Sequence, residues 1–223
     1  KELENDGVIR PLGRDEYAPY LARSMFVDKK DKKADPRLVV NHDRLNLNMD
    51  RSIHPINSPH SLMQRIPHDS KHWISTDFLK GYHQVALAEE SQPLTAFLTP
   101  IGRYCMKRLS MGISISSDIF NIETDLAFEP LMDKGFGLLK CVDDVAFSSS
   151  TKSGLYKKAK QFLDICREKN IAISEKKFTL SNKIKFVGHE IFENTHAPDP
   201  SKIKAITDFQ CPSSSGAALL AVW

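Results

Sequence analysis

The chain has 223 residues, 41% of them hydrophobic and 26% charged, which supports a packed core of one sizeable domain or two small ones and argues against wholesale disorder. Lys and Arg number 31 against 28 Asp and Glu, and the resulting net charge of +3 leaves room for a local basic face without by itself demanding nucleic acid. No apolar run approaches the roughly 18 residues of a membrane span. The four cysteines, Cys105, Cys141, Cys166 and Cys211, form no C-x-x-C pair, and with no signal peptide they are expected to be reduced thiols in an intracellular protein. The chain begins on Lys1 and stops inside the apolar run Ala217 to Trp223, so it is expected to be a segment of something longer.

Residues 1–36 are polar, with the run Lys29 to Lys33 read either as a solvated loop or as a cationic loop over phosphates. Arg37 to Val40 predicts a strand. Pro55 and Pro59 break the chain before a short helix, Ser61 to Ile66, ended by Pro67. Trp73 to Phe78 predicts a strand ending on an acid, followed by a turn at Gly81. Thr95 to Leu98 and Tyr104 to Lys107 predict a hairpin around Pro100-Ile101-Gly102. After a turn at Gly112, Ile115, Ile119, Ile122 and Leu126 recur at helical spacing and predict one inward face. A second amphipathic helix sets Leu155, Ala159, Phe162 and Cys166 inward and Lys157, Lys158 and Lys160 outward. Short strands are expected near Phe178–Leu180, Ile184–Val187 and Glu190–Phe192, with a last helix over Ser201 to Phe209.

The stretch Leu138 to Phe147 is the most informative. It is an apolar, partly β-branched run, then Asp143 and Asp144 side by side, then a second apolar run, the pattern of two strands joined at a tight turn. Two adjacent carboxylates repel, and a hairpin tip is better served by Asn-Gly or Asp-Gly. The pattern reads either as an ordinary acidic turn or as a pair relieved by a hard divalent cation, which takes carboxylate oxygens together with substrate phosphates. From Trp73 on, the order strand, turn, helix, strand, strand, helix, strand fits an α+β fold: a split β-α-β layer, an antiparallel sheet with two helices on one face. Such a layer brings the strand ending at Asp77 beside the tip at Asp143 and Asp144.

Seven blocks, taken in order, resemble a reverse transcriptase, most closely the gypsy-type branch of LTR retrotransposons. Arg37-Leu38-Val39-Val40-Asn41-His42-Asp43-Arg44-Leu45-Asn46 resembles the fingers strand. Ser75-Thr76-Asp77-Phe78-Leu79-Lys80-Gly81-Tyr82-His83-Gln84 resembles the first palm motif. Thr95-Ala96-Phe97 to Gly102-Arg103-Tyr104 is similar to the stretch before the family's hairpin, and Leu109-Ser110-Met111-Gly112 to Ile119-Phe120-Asn121 to its template-binding motif. Cys141-Val142-Asp143-Asp144 stands where the family has Tyr-x-Asp-Asp. Phe186-Val187-Gly188-His189 resembles the primer grip, and Pro198-Asp199-Pro200 to Pro212 the start of the thumb. The sequence departs from the pattern at Cys141 for Tyr, at Asn41-His42-Asp43 for Asp-Tyr-Arg, at Ser110 and Ser117 for prolines, and at Asn121 for Gln.

The resemblance implies a polymerase palm with a fingers subdomain: fingers over 1–72 and 88–108, palm over 73–87 and 109–193, and a truncated thumb stub over 194–223. It implies RNA-directed DNA polymerase activity by two-metal nucleotidyl transfer, with Asp77, Asp143 and Asp144 as ligands of two Mg2+ or Mn2+ ions. Tyr82 is the implied gate under the sugar that excludes a 2′-hydroxyl. Lys30 (or Lys29 in the alternative register) and Arg37 are the implied triphosphate grip, and Met111 and Gly112 pack on the template base pair. Lys176 or Lys177 is either a proton donor to the leaving pyrophosphate or a solvated lysine, and His189 is expected to be structural. Cys141 is expected to pack beneath the hairpin. The expected partners are a primed RNA or DNA template and deoxynucleoside triphosphates, with no membrane, in an intracellular setting (cytoplasm, nucleus or virus-like particle) and within a larger polyprotein. The alternatives are a catalytically decayed nucleic-acid-binding relic of the same fold and, more distantly, another palm-type nucleotidyl transferase.

Overall fold

The computed structural model describes residues 2–28, 36–51, 53–132 and 135–208. From the N-terminus the elements are helix α1 (Glu2–Asn5), strands β1 (Ile9–Pro11), β2 (Ala22–Val27) and β3 (Arg37–Val40), and helices α2 (Asp43–Asn46) and α3 (Pro59–Gln64). Strand β4 (His72–Asp77), hairpin strands β5 (Phe97–Thr99) and β6 (Gly102–Met106), and helix α4 (Ser116–Phe128) follow. Next come β7 (Leu139–Cys141), β8 (Asp144–Ser149), α5 (Lys152–Glu168), β9 (Thr179–Ser181), β10 (Lys183–Phe186), β11 (His189–Phe192), β12 (Thr195–Pro198) and α6 (Pro200–Thr207).

The strands make three sheets, ordered β1-β6-β5-β2-β3, β7-β8-β4-β9 and β10-β11-β12. The four-stranded sheet is antiparallel throughout and positions the site. Its strands alternate cleanly, as the period of a strand requires. Ile74, Val145 and Phe147 face α4 and α5, where they meet Phe120, Phe128, Leu155 and Phe162. Phe128 stacks on Phe162 at 5.1 Å between ring centres, and Phe162 packs on Phe147 at 5.3 Å. Trp73, Leu139 and Ala146 face the other way, onto Leu62 and Met63 of α3 and Ile184, Phe186 and Ile191 of the three-stranded sheet. The sheet is therefore covered on both faces, with both long helices on one of them, an α+β architecture.

The helices start where local chemistry dictates. The Ser58 hydroxyl accepts the Ser61 amide ahead of Pro59 in α3, and the Thr151 hydroxyl accepts the Gly154 amide at the start of α5. Helix α5 buries Leu155, Phe162 and Cys166 as its spacing predicts. Lys158 is not simply outward: its ammonium donates to the carbonyls of Phe136 at 2.5 Å and Ser148 at 2.8 Å.

Helix α4 forms where expected but presents a different face. Leu126 is 64% exposed, while Ser116, Asp118, Phe120, Asn121, Thr124, Ala127 and Phe128 are buried. The buried polar residues are satisfied. Arg51 Nε and the His54 amide donate to the two oxygens of Asp118 at 3.2 and 3.0 Å. Lys140, itself buried, donates to Asn121 at 2.8 Å and Thr124 at 2.9 Å and pairs with Asp125 at 3.0 Å. A reading by apolar spacing misassigns a helix whose partners are hydrogen-bonded.

The polar N-terminal stretch also carries more order than its composition suggests. It supplies β1 and β2, and β2 joins β3 in antiparallel and β5 in parallel pairing. Lys29, Lys30, Phe209, Cys211 and Pro212 lie outside the described residues.

Candidate active site

Strands β4 and β8 are paired over their full length, and the ladder closes on Asp77 opposite Asp144. Directly paired residues share a face of the sheet, their Cα atoms about 4.5–5.5 Å apart. Asp143 sits in the two-residue turn between Cys141 and Asp144, which are themselves paired. The Phe78 amide donates to the Asp143 carbonyl at 3.0 Å, so the turn is fastened to the end of β4. The three acids thus meet at one end of the central sheet. Val142, the other turn residue, adopts φ +52°, a left-handed conformation that is unusual for a β-branched side chain.

The acids are crowded. Partial burial, then Asp144, then Asp77 push the Asp143 carboxyl above the ordinary carboxylate range. Asp144 reaches solvent, but desolvation by its neighbours and then the Asp77 charge raise it as well. Asp77 Oδ1 and Asp143 Oδ1 are buried with no hydrogen-bond partner among the described residues. Asp77 Oδ2 accepts from Lys177 Nζ at 2.5 Å. That bond holds the Lys177 ammonium above its usual pKa.

Gly81 explains how a carboxylate fits so close to the chain that follows β4. A Cβ at Gly81 would stand 2.6 Å from Asp143 Oδ1 and 2.9 Å from Phe120 Cζ. Sequence reading marks this glycine only as a turn; the close approach of backbone to carboxylate is its structural reason. Tyr82 follows in the 3-10 turn Gly81–Gln84, its ring edge-on to Phe120 at 5.5 Å and its hydroxyl 2.9 Å from Ser117 Oγ.

Met111 and Gly112 are exposed in the loop before α4, and Gly112 has φ +90°. The Gly112 carbonyl accepts from Asn46 Nδ2 at 2.9 Å, which ties this loop to α2. Buried His42 lies 3.2 Å from the Ser110 hydroxyl, and burial lowers its pKa to about 4. Arg37 is exposed at the first position of β3, the edge strand of the five-stranded sheet, rather than among the acids. The Cys141 thiol donates to the Asn57 carbonyl at 3.7 Å and is partly buried against the cluster of α3, β10 and β11.

The donor set suits hard divalent cations: three carboxylates, two with unpartnered oxygens, all oxygen ligands. Among the described residues no three His, Cys, Asp or Glu side chains stand as a ready-made cage. An ion of the magnesium type does not require one, because it commonly takes one or two carboxylates plus substrate phosphates.

The sheet and its acidic end define a palm-type α+β fold. The model of the family "Reverse transcriptase (RNA-dependent DNA polymerase)" matches residues 28–191, and the chain belongs to that family. The chain is 27% identical over 217 residues to the retrovirus-related Pol polyprotein of transposon opus of Drosophila melanogaster, with 96% of this chain and 21% of that protein covered. It is 31% identical over 212 residues to the enzymatic polyprotein of cauliflower mosaic virus strain NY8153, with 94% of this chain and 30% of that protein covered. The chain therefore spans less than a third of the length of these relatives. In fold it is similar to the foamy viral protease-reverse transcriptase in complex with double-stranded DNA, at TM-score 0.85 and 20% identity, over 97% of this chain and 37% of that one. The foamy viral enzyme in complex with an RNA/DNA hybrid is similar at TM-score 0.79 and 20% identity, over 99% of this chain and 28% of that one.

Proposed function

We propose that the chain is the polymerase module of a retrotransposon-type polyprotein and extends a primer on an RNA or DNA template with deoxynucleoside triphosphates. The observation that carries this reading is the closure of the β4–β8 ladder on Asp77 and Asp144 with Asp143 in the adjoining turn. In this reading residues 1–72 and 88–108 form the fingers, 73–87 and 109–193 the palm, and 194–223 the start of a thumb.

Asp77, Asp143 and Asp144 would hold two Mg2+ or Mn2+ ions, which when bound stabilise charge on the attacking and leaving oxygens of nucleotidyl transfer. The chain's own residues do the rest. The antiparallel ladder fixes the acids on rigid elements, so little reorganisation remains at the moment of reaction. Lys177 pairs with Asp77, and the bond raises the pKa of its ammonium. Released from Asp77 Oδ2, it would give a proton to the departing pyrophosphate, a role for which Lys176 is the alternative; pairing with a site acid supports Lys177. Tyr82 packs beneath the incoming sugar and excludes a 2′-hydroxyl. Arg37, on the edge strand away from the acids, would reach the triphosphate from the fingers side together with Lys30 or Lys29, through paired hydrogen bonds of the kind a guanidinium makes. Met111 and Gly112 lie against the template base pair, where the absence of a side chain at Gly112 permits close approach.

No helix among the described residues is long and apolar enough to cross a membrane. The module works inside the cell, in the cytoplasm, the nucleus or a virus-like particle.

The test is extension of a primed homopolymer template with Mg2+ or Mn2+. Incorporation of deoxynucleotides supports the reading. Template binding with no incorporation would instead favour a non-catalytic relic, and equal use of ribonucleotides would favour another palm-type nucleotidyl transferase.

A further inference from the structure

Ser110, Ser117 and Asn121 lie in the segment leading into and along α4. None of them is idle. The Ser110 hydroxyl donates to the Met111 carbonyl at 3.0 Å. The Asn121 amide donates to the Ser117 carbonyl at 2.7 Å, and its oxygen accepts from Lys140 at 2.8 Å. Ser117 Oγ lies 2.9 Å from the Tyr82 hydroxyl. A side chain without a hydroxyl or amide at position 117 has no group to offer that phenol.

We infer that Ser117 is a positioning residue that sets how strictly the chain selects the sugar of the incoming nucleotide, by tethering the ring of Tyr82. The inference rests on the reading of Tyr82 as the gate beneath that sugar. A gate works by refusing to move. The Tyr82 ring is anchored at its Cα end by the 3-10 turn that begins at Gly81, which is wedged against Phe120 and Asp143. Along its length it meets Phe120 edge-on, at 76° between ring planes. At its far end the hydroxyl bonds Ser117. Ser117 and Phe120 lie three residues apart on α4, so one helix face supplies both outer contacts.

Without the bond at the hydroxyl, the ring keeps its edge contact but can tilt about its side-chain torsions. A tilting ring yields to a 2′-hydroxyl that a fixed ring rejects. The effect falls on discrimination between sugars, which a general loosening of the fold would not alter selectively.

The measurement is the ratio of kcat/KM for a deoxynucleotide to that for the matching ribonucleotide in single-nucleotide extension by the full chain. The ratio of the two dissociation constants on the primed complex reads the same preference without turnover. Ser117→Ala and Tyr82→Phe each remove one half of the bond, and each is expected to lower the ratio about three- to tenfold, the worth of one hydrogen bond. The double variant is expected to fall no further than either single one. Ser117→Thr, which keeps the hydroxyl, restores the ratio.

Tyr82→Ala separates the two layers of the argument. If Tyr82→Ala collapses the ratio and Ser117→Ala leaves it unchanged, the gate stands and the tether is overturned. If Tyr82→Ala leaves the ratio unchanged, the gate reading fails and takes the tether with it. Additive losses in the double variant would also overturn the inference, because the serine would then act by another route.

Discussion

Asp143 is held in a place that costs stability. Burial and two neighbouring carboxylates raise its pKa, and one of its oxygens has no donor among the described residues. Between the ordinary carboxylate pKa and the raised folded value, the folded chain binds more protons than the unfolded chain. This contribution to stability is therefore greatest at low pH and falls as pH rises through that window. Asp143→Asn removes the charge, and its expected effect at neutral pH without divalent ions is a rise in Tm of about 2–4 °C, the shift that about 1 kcal/mol makes in a chain of this size. Scanning calorimetry checks it; a lower Tm would contradict the electrostatic account. Gly81 makes the complementary case. Gly81→Ala places a methyl group against the Asp143 carboxylate and the Phe120 ring. Extension is expected to fall by about a hundredfold or more, because a displacement of even 1 Å at a reacting centre has that effect, while template binding persists. The pairing of the strand ending at Asp77 with the Asp143-Asp144 tip was legible from element order, but the acidic pair alone read equally as an ordinary turn, and only the family resemblance singled out the three acids together. The need for glycine at position 81 was not legible, because its reason is a contact with a residue far along the chain.

Helix α4 shows what pattern reading captures and what it misses at the scale of an element. Its existence and approximate span follow from apolar spacing. Its orientation does not, because the face it buries includes Asp118, Asn121 and Thr124. These are partnered by Arg51, His54 and Lys140, residues that no local period connects to the helix. Lys140 is the centre of this arrangement. Its side chain is 3% exposed, and burial lowers its pKa while Asp125 opposes that shift. It also precedes the hairpin tip by three residues, so the same contact that orients α4 steadies β7. Lys140→Met fills the space but strands the polar groups of Asn121, Thr124 and Asp125. The expected cost is about 3 kcal/mol, the low end of the range for breaking one side of a buried ion pair because Asp125 is partly exposed, measured as a shift in the urea midpoint at unchanged m-value. A neutral or stabilising outcome would show that the network contributes nothing to the seating of the helix.

For the whole molecule, the central sheet and its two helices could be derived from element order, because sequential antiparallel strands with amphipathic helices between them leave few arrangements. The five-stranded sheet was less accessible. Its strand β2 lies in a polar stretch and is half open to solvent, and its parallel pairing with β5 joins residues with no shared local signal. The covering of the second sheet face by α3 with β10 and β11 is likewise a product of long-range packing. If this surface binds a primed template mainly through phosphates, affinity is expected to drop about a hundredfold or more between 50 and 200 mM salt. A salt-independent affinity in a filter or anisotropy titration would argue against nucleic acid as the partner.

The most direct test is primer extension by the Asp143→Asn chain, run beside the unaltered chain with template binding measured on both. The account predicts that extension by the variant falls by about a hundred- to a thousandfold, the scale on which removing one electrostatic group at a reaction centre acts, while its template affinity stays within about threefold of the original, since a carboxylate supplies none of the cationic phosphate contacts that dominate binding. Turnover by the variant at the rate of the unaltered chain would contradict it.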